Sequence, residues 1–348
     1  MRKRLVALFT IGLLISSLLI GCGGTQSSTT TPPKKNGPFT IGYDVYWLGN
    51  SWSVQMYEEF KQAVTQHQSD IKDVVYTQSD DQAQKQIANI QSMIAKKVDA
   101  IILTPVSPAA VVPVIEQAKQ AGIPVILLAA TANTKDYTAL VTVDDVEFGK
   151  VQADWLAKKL NGKGNIYVLN GIAGLSTNEQ RWQGAKSIFD KYPGIKVVAS
   201  QNANWDEAAA KTATTNMLAA HPDVDGIWSQ GGAMTMGAIE AFEVAGHQLV
   251  PMTGEDYNGL LKKWEQLHNS GDTHFDSIVV AKPTWLSAPA LDTTLKILKG
   301  QSYQKDEILP PPVITYADLK KYVRPDLPDS YWANSHLSAA RVKQLFSH

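Results

Sequence analysis

The sequence predicts an α/β protein of two lobes, each a doubly wound parallel sheet, and three observations carry that prediction. From Phe39 onward, apolar runs of strand length alternate with amphipathic runs of helix length. The stretch Leu140-Val-Thr-Val-Asp144-Asp145-Val-Glu-Phe-Gly-Lys150 ends a β-branched run in two carboxylates and starts a helix at once. Because the chain reads alike before and after it, this stretch marks the first crossing between lobes. Finally, 348 residues with 44% hydrophobic content suffice for two ordinary cores.

The chain opens with Arg2-Lys3-Arg4 and a 16-residue apolar run from Leu5 to Ile20, shorter than the ~20 residues of a spanning helix. The run ends in Leu19-Ile20-Gly21-Cys22, which resembles a bacterial lipobox. Residues 1–21 then form a lipoprotein signal peptide, and lipid on Cys22 anchors the protein to the bacterial cell membrane. The other reading is an uncleaved N-terminal anchor with an incidental cysteine. Either places the remainder outside the cytoplasm. Residues 22–38 are Gly, Ser, Thr and Pro with almost nothing apolar, so they form a disordered tether.

In the first lobe the expected strands are Thr40 to Val45, Val74 to Thr77, Ala100 to Thr104, Gly122 to Ala129 and Leu140 to Val143. Helices between them carry Met56, Phe60 and Ala63, then Ile87, Ile90 and Ile94, then the run from Pro108 to Ala121. The second lobe repeats the cycle. Its helices are Val146 to Leu160, Thr177 to Lys191, Asp206 to Ala220, Met234 to Ala245 and Asn258 to Ser270. Its strands are Asn165 to Leu169, Ile195 to Ser200, Gly226 to Ser229, His247 to Met252 and Ser277 to Ala281. A helix from Pro283 to Lys299 and a short strand within Pro310 to Thr315 follow. Asp144 or Asp145 is a natural N-cap for the helix after the crossing. Parallel sheets of this kind bind ligands beyond the carboxyl ends of their strands.

Composition excludes several functions. Formal net charge is -1, and without the three leader cations 29 basic residues face 33 acidic ones, so no electrostatic footprint for nucleic acid exists. A single cysteine rules out an intrachain disulfide framework and a cysteine-based zinc site. No phosphate-binding Gly-rich loop, dinucleotide fingerprint or G-x-S-x-G elbow occurs, so neither a cofactor nor an enzyme is expected. The grouping His268, Asp272, His274 and Asp276 lies in a turn without defined ligand geometry and is read as polar surface, not metal.

What remains is a concentration of aromatics and hydrogen-bonding groups where strands end. Tyr46, Asn50 and Trp52 follow the first strand, Arg181 lies one turn into the helix after strand Asn165 to Leu169, Trp205 follows the next strand, and Glu255 and Asp256 follow another. A sugar offers flat C–H patches that aromatic faces cover and neighbouring hydroxyls that carboxylate, amide and guanidinium groups bind in pairs. Taken singly, Trp52 and Trp205 can equally be rim packing, and Arg181 can pair with Glu179 on the surface. Trp182, Trp228 and Trp264 fall within regular elements and are read as core.

These turns resemble the type I periplasmic sugar-binding proteins, the ribose and galactose group that serves ABC transporters. The resemblance runs from Phe39 to Thr315 and rests on Gly171-Ile-Ala-Gly174 with Arg181 and Gly184, Ala220-His-Pro-Asp-Val224, Gly237-Ala-Ile with Ala245-Gly246, and Gly122-Ile-Pro-Val125. It implies the type I periplasmic binding protein fold, with a three-segment hinge near Val143 to Asp145, Ala281 to Lys282 and Leu309 to Val313. One lobe is then 39–143 with 283–309 and the other 144–281 with 313–320, while 321–348 is a tail packed on the body. Residue by residue, the resemblance assigns ligand binding to Tyr46, Asn50, Trp52, Arg181, Trp205, Asp256 and Lys282. It departs at Ala129-Ala130, where close members carry Asp-Arg, and at Gly231-Gly232, where Asn-Asp is usual. Two hydroxyl-binding pairs are therefore missing, and the pocket is expected to be roomier, with Lys282, Tyr46 and Asp256 carrying more of the polar contact.

The expectation is an extracytoplasmic, lipid-anchored monomer that captures a sugar or polyol between closing lobes and presents it to an ABC transporter permease. A sensor handing the liganded state to a receptor kinase is the alternative. A transcriptional regulator is disfavoured because a secretion signal and tether stand where a DNA-binding helix-turn-helix is needed.

Overall fold

The structure, a computed structural model, describes residues 35–346. The leader, Cys22 and the tether as far as Lys34 lie outside the described residues.

The first lobe runs β1 (Phe39–Val45), α1 (Ser51–Gln66), β2 (Ile71–Gln78), α2 (Ala83–Ala95), β3 (Ala100–Leu103), α3 (Val112–Gln120), β4 (Val125–Leu128) and β5 (Ala139–Val143). The second begins with α4 (Asp145–Lys159), β6 (Lys163–Asn170), α5 (Ser176–Phe189), β7 (Gly194–Asn202) and α6 (Glu207–Ala220). It continues through β8 (Gly226–Ser229), α7 (Gly232–Ala245), β9 (Met252–Gly254), α8 (Asn258–Asn269) and β10 (Ser277–Val280). The chain returns to the first lobe for α9 (Ser287–Leu298) and β11 (Asp306–Leu309), then gives β12 (Val313–Ile314) to the second and ends in α10 (Ala339–Phe346). The first sheet is ordered β2-β1-β3-β4-β5-β11 and the second β7-β6-β8-β9-β10-β12. All pairings are parallel except β12 against β10. Three segments therefore cross between lobes, after β5, after β10 and between β11 and β12.

The central strands are apolar on both faces because helices cover both. In β3, Ala100 and Ile102 face one core while Ile101 and Leu103 face the other. In β8, Ile227 and Trp228 divide in the same way between the two cores of the second lobe. Trp228 and Trp264 are fully buried, and Trp182 packs on Trp228 with ring centroids 5.6 Å apart.

Several elements depart from the sequence reading. The strand expected at His247 starts only at Met252, because Gly246 caps α7 in the left-handed region and Pro251 has no N–H to pair. Likewise Pro310, Pro311 and Pro312 confine the next strand to Val313–Ile314. Strand β11 was not expected: Asp306-Glu-Ile-Leu309 has no apolar face, and it forms because it edges the first sheet against β5. Helix α3 begins four residues later than expected, at Val112.

One packing detail positions the site. Helices α4 and α5 approach backbone to backbone at a glycine pair: a Cβ on Gly149 meets the Arg181 carbonyl oxygen at 1.9 Å, and one on Gly184 meets that of Val146 at 2.0 Å. This closeness brings the Arg181 side chain to the first residue of α4.

Candidate functional site

Two of the three crossings carry members of a buried quartet of charges. Asp145, Arg181, Glu255 and Lys282 come from α4, α5, the end of β9 and the end of β10, and each is at most 3% exposed. Arg181 donates from Nε to Asp145 Oδ1 at 3.0 Å, from Nη2 to Glu255 Oε1 at 3.1 Å and from Nη1 to the Gln230 carbonyl at 2.8 Å. Its guanidinium lies 3.6 Å from the centroid of the Phe148 ring. Lys282 Nζ donates to Asp145 Oδ2 at 2.6 Å, to Thr177 Oγ1 at 3.1 Å and to the Ala129 carbonyl. Burial pushes the Glu255 carboxyl up to about 7 against the pull of Arg181, and pushes the Lys282 ammonium down against the pull of Asp145. Two cations and two carboxylates thus satisfy one another, and the quartet has no net formal charge.

Asp144 is the N-cap of α4, accepting from the Glu147 N–H at 2.9 Å, which leaves its neighbour Asp145 to face inward. The surface pair between Arg181 and Glu179 does not form. Arg181 sits on the buried face of α5 instead.

Beside the quartet is a pocket of about 50 Å³, room for about four waters at ~10–15 Å³ each. Its walls are aromatic: Tyr46, Trp52, Trp205 and Trp332 all line it. The Tyr46 hydroxyl accepts from Asn50 Nδ2 at 3.0 Å and Ser53 Oγ at 2.9 Å, so its own proton is free to donate. Asn50 Oδ1 caps α1 by accepting from the Ser53 N–H at 2.8 Å. Trp52 Nε1 donates to the Lys282 carbonyl at 2.7 Å, pinning a first-lobe ring to the second crossing.

Trp205 is the most constrained of the four. It and Asn204 both hold left-handed backbone, φ +53° and +56°, a conformation that costs a non-glycine residue ~1–2 kcal/mol. A Cβ on Gly171 meets its ring at 2.2 Å and one on Gly231 at 2.7 Å, so only glycine at these two positions leaves room for the indole. Its Nε1 is shielded from solvent yet has no hydrogen-bond partner. A buried donor left in that condition costs free energy unless something supplies an acceptor.

The lobes touch directly across the cleft. Thr131 N–H donates to Ser176 Oγ at 2.9 Å and Gln180 Nε2 to Thr131 Oγ1 at 3.1 Å. Tyr46 and Val106 of the first lobe pack on Ile172 and Leu175 of the second.

Six of the seven expected residues, Tyr46, Asn50, Trp52, Arg181, Trp205 and Lys282, line this pocket. The seventh, Asp256, does not. Its Oδ2 accepts from the Asn334 N–H at 2.6 Å and Nδ2 at 3.0 Å, so it holds the C-terminal tail, and Glu255 takes the cleft position. Nor is the pocket opened by the missing pairs. The space beside Ala129 receives the Lys282 ammonium, and that beside Gly231 receives the Trp205 indole. The reading from sequence named Glu255 among the rim groups but assigned the contact to its neighbour Asp256; it missed Asp145 as an inward-facing carboxylate, and it missed Thr104, Thr177 and Trp332 as wall residues. Paired carboxylates at two strand ends were a signal for Glu255 and Asp145. Trp332, in a Pro- and Asp-rich tail, carried none.

Residues 41–302 match the family described as periplasmic binding protein domain. A xylitol-binding protein of Mycolicibacterium smegmatis is 29% identical over 309 residues, covering 88% of this chain and 85% of that protein. The ribose import binding protein of Bacillus subtilis is 25% identical, covering 88% of this chain and 96% of that one. Among solved structures, an ABC transporter periplasmic solute-binding protein from Actinobacillus succinogenes with bound D-allose superposes with a TM-score of 0.69 at 31% identity, covering 81% of this chain and 99% of that one.

Proposed function

The chain belongs to the periplasmic binding protein family, and we propose that it captures one uncharged sugar ring or polyol between its lobes and delivers it to an ABC transporter permease. The observation that carries this reading is the pairing of unspent donors with a neutral floor. The Tyr46 hydroxyl has a proton to give, and Trp205, whose buried Nε1 has no partner, lines the same pocket, whose cations are already paired with carboxylates. Hydroxyl oxygens accept from such donors, and aromatic walls cover C–H faces. A ligand carboxylate or phosphate would find no unpaired cation and would lose its hydration shell without compensation. Relatives named for xylitol and ribose, and a solved relative with bound D-allose, agree with a sugar or polyol ligand.

No bond is made or broken. Because the walls come from both lobes, a ligand gains its full contact only when the lobes are closed, and that differential affinity drives the hinge. Lipid on Cys22 and the tether keep the protein at the membrane face, where a permease can receive the load. Calorimetric titration of the purified protein with pentoses, hexoses, polyols and amino acids tests the reading. Binding confined to neutral polyhydroxy compounds supports it, and a flat panel overturns it.

A further inference from the structure

The family match ends at residue 302, and the chain beyond β12 ties the two lobes together behind the pocket. Its first part belongs to the second lobe. Leu319 and Val323 enter that lobe's core, and Asn258 accepts from the Arg324 N–H at 2.9 Å while donating to the Arg324 carbonyl at 2.8 Å. From Ser335 onward the chain's hydrogen bonds outside the tail go to α1 of the first lobe. Ser335 Oγ and the His336 N–H both donate to Glu59 Oε1, at 2.6 and 2.9 Å, and the Ser338 N–H donates to Gln62 Oε1 at 2.7 Å. Arg341 pairs with Glu58.

The passage from one lobe to the other falls at Trp332 to Asn334, where Ala333 and Asn334 still bond Asp256 of the second lobe. The Trp332 indole lies in the second lobe's core and meets Tyr257 edge-on, with centroids 5.6 Å apart. Its backbone is clamped by the first lobe: the N–H donates to Gln55 Oε1 at 3.0 Å, and the carbonyl accepts from Gln55 Nε2 at 2.9 Å. Its Nε1 donates to Ser51 Oγ at 2.9 Å. Ser51 and Gln55 lie on the same first turns of α1 that carry Trp52, next to the capping Asn50. Trp332 is 3% exposed and lines the pocket. One residue therefore closes the wall of the pocket and fastens the two lobes.

We propose that Trp332 is a specificity-determining wall of the pocket and that the tail carrying it is a fourth interlobe tie, which holds the ligand-free lobes close. The pocket half of this rests on the sugar-binding reading. The tie does not. Opening about the three hinge segments must break the Trp332 bonds to Ser51 and Gln55 or tear the tail from α8.

Three variants separate the parts. Gln55→Ala combined with Glu59→Ala removes the bonds of the Trp332 backbone, Ser335 and His336 to α1 and leaves the indole in place. Trp332→Phe keeps a ring and removes the bond to Ser51. Trp332→Ala removes the wall. X-ray scattering from ligand-free protein reads the tie: the Gln55→Ala, Glu59→Ala protein is expected to have a radius of gyration above the parent value, and an unchanged radius overturns the tie whether or not any sugar binds. Titration with xylitol, D-ribose and D-allose reads the wall. Trp332→Ala is expected to shift the ratio of allose to xylitol affinity by at least about fivefold towards the larger ligand, whereas the Gln55→Ala, Glu59→Ala protein lowers all affinities together. An unchanged ratio in a Trp332→Ala or Trp332→Phe protein that keeps the parent's circular dichroism overturns the wall. If the parent binds none of the three probes, the sugar reading fails and the wall with it, while scattering still decides the tie.

Discussion

Replacing Arg181 with alanine is expected to damage folding before it damages binding. The guanidinium stands between Asp145 and Glu255, 3.0 and 3.1 Å away, and all three are buried. Without it, two buried carboxylates share only Lys282. Stripping one partner from a buried ion pair costs about 3–5 kcal/mol, and a loss of 1 kcal/mol lowers Tm by roughly 2–4 °C for a unit of lobe size, so the midpoint should fall by about 6–20 °C. The loss should also depend on pH. In the parent, the Glu255 carboxyl lies at about 7 when folded against an ordinary 4.5. A folded value above the unfolded one means that the folded state holds the extra proton between them, so the stability from this group is greatest below about 4.5 and is lost as pH rises towards about 7. Removing the neighbouring cation pushes the folded value higher and extends the loss upward. Scanning calorimetry of ligand-free protein at about pH 5 and about pH 8 should therefore show a larger Arg181→Ala deficit at the higher pH, with part of the deficit restored by adding Glu255→Gln. A variant whose midpoint stays within about 2 °C of the parent at both pH values, but which loses affinity, would refute this reasoning and make Arg181 a ligand-facing cation rather than the centre of the quartet.

Other substitutions test the pocket itself. Trp205→Phe keeps an aromatic face and removes the unpartnered Nε1, so it should weaken ligand binding by about 1 kcal/mol, roughly fivefold, without lowering Tm; unchanged affinity in titration would exclude that donor from recognition. Gly171→Ala places a methyl 2.2 Å from the Trp205 ring, and calorimetry should show affinity lost by tenfold or more while circular dichroism is retained. Asp256→Ala should leave the ranking of ligands intact but loosen the tail at Asn334, seen as faster proteolysis after Trp332; a collapse of binding with the tail still protected would return Asp256 to the pocket.

How far the sequence could be read follows from which forces act locally. Alternating apolar periodicity placed the strands and helices of both lobes, because burial on both faces of a parallel sheet leaves a plain pattern in the residues. Strand β11 left no such pattern, since its Asp306-Glu-Ile-Leu309 is half exposed and is held by backbone pairing with β5. At the site, residue types at strand ends were legible and their direction was not. Of two adjacent carboxylates, only one can face the cleft, and the exact end of β9 decides that it is Glu255. At Asp144-Asp145 the capping of α4 makes the same kind of choice. Arg181 was found by type and position, but its burial depends on the close approach of Gly149 and Gly184, a fact of tertiary packing. Trp332 reaches the pocket from 281 positions beyond Ser51, a separation at which no local pattern speaks.

A matched pair of ligands tests most directly whether the pocket takes a hydroxylated molecule without charge. Titration of the purified protein with xylitol and xylonate, and with D-ribose and D-ribonate, varies one group at constant size. The structure predicts that a neutral member binds and that its acid binds about 100-fold more weakly or not at all, since Arg181 and Lys282 are already paired and a buried unpaired carboxylate costs several kcal/mol. An acid that binds as tightly as its neutral partner, or more tightly, would contradict it.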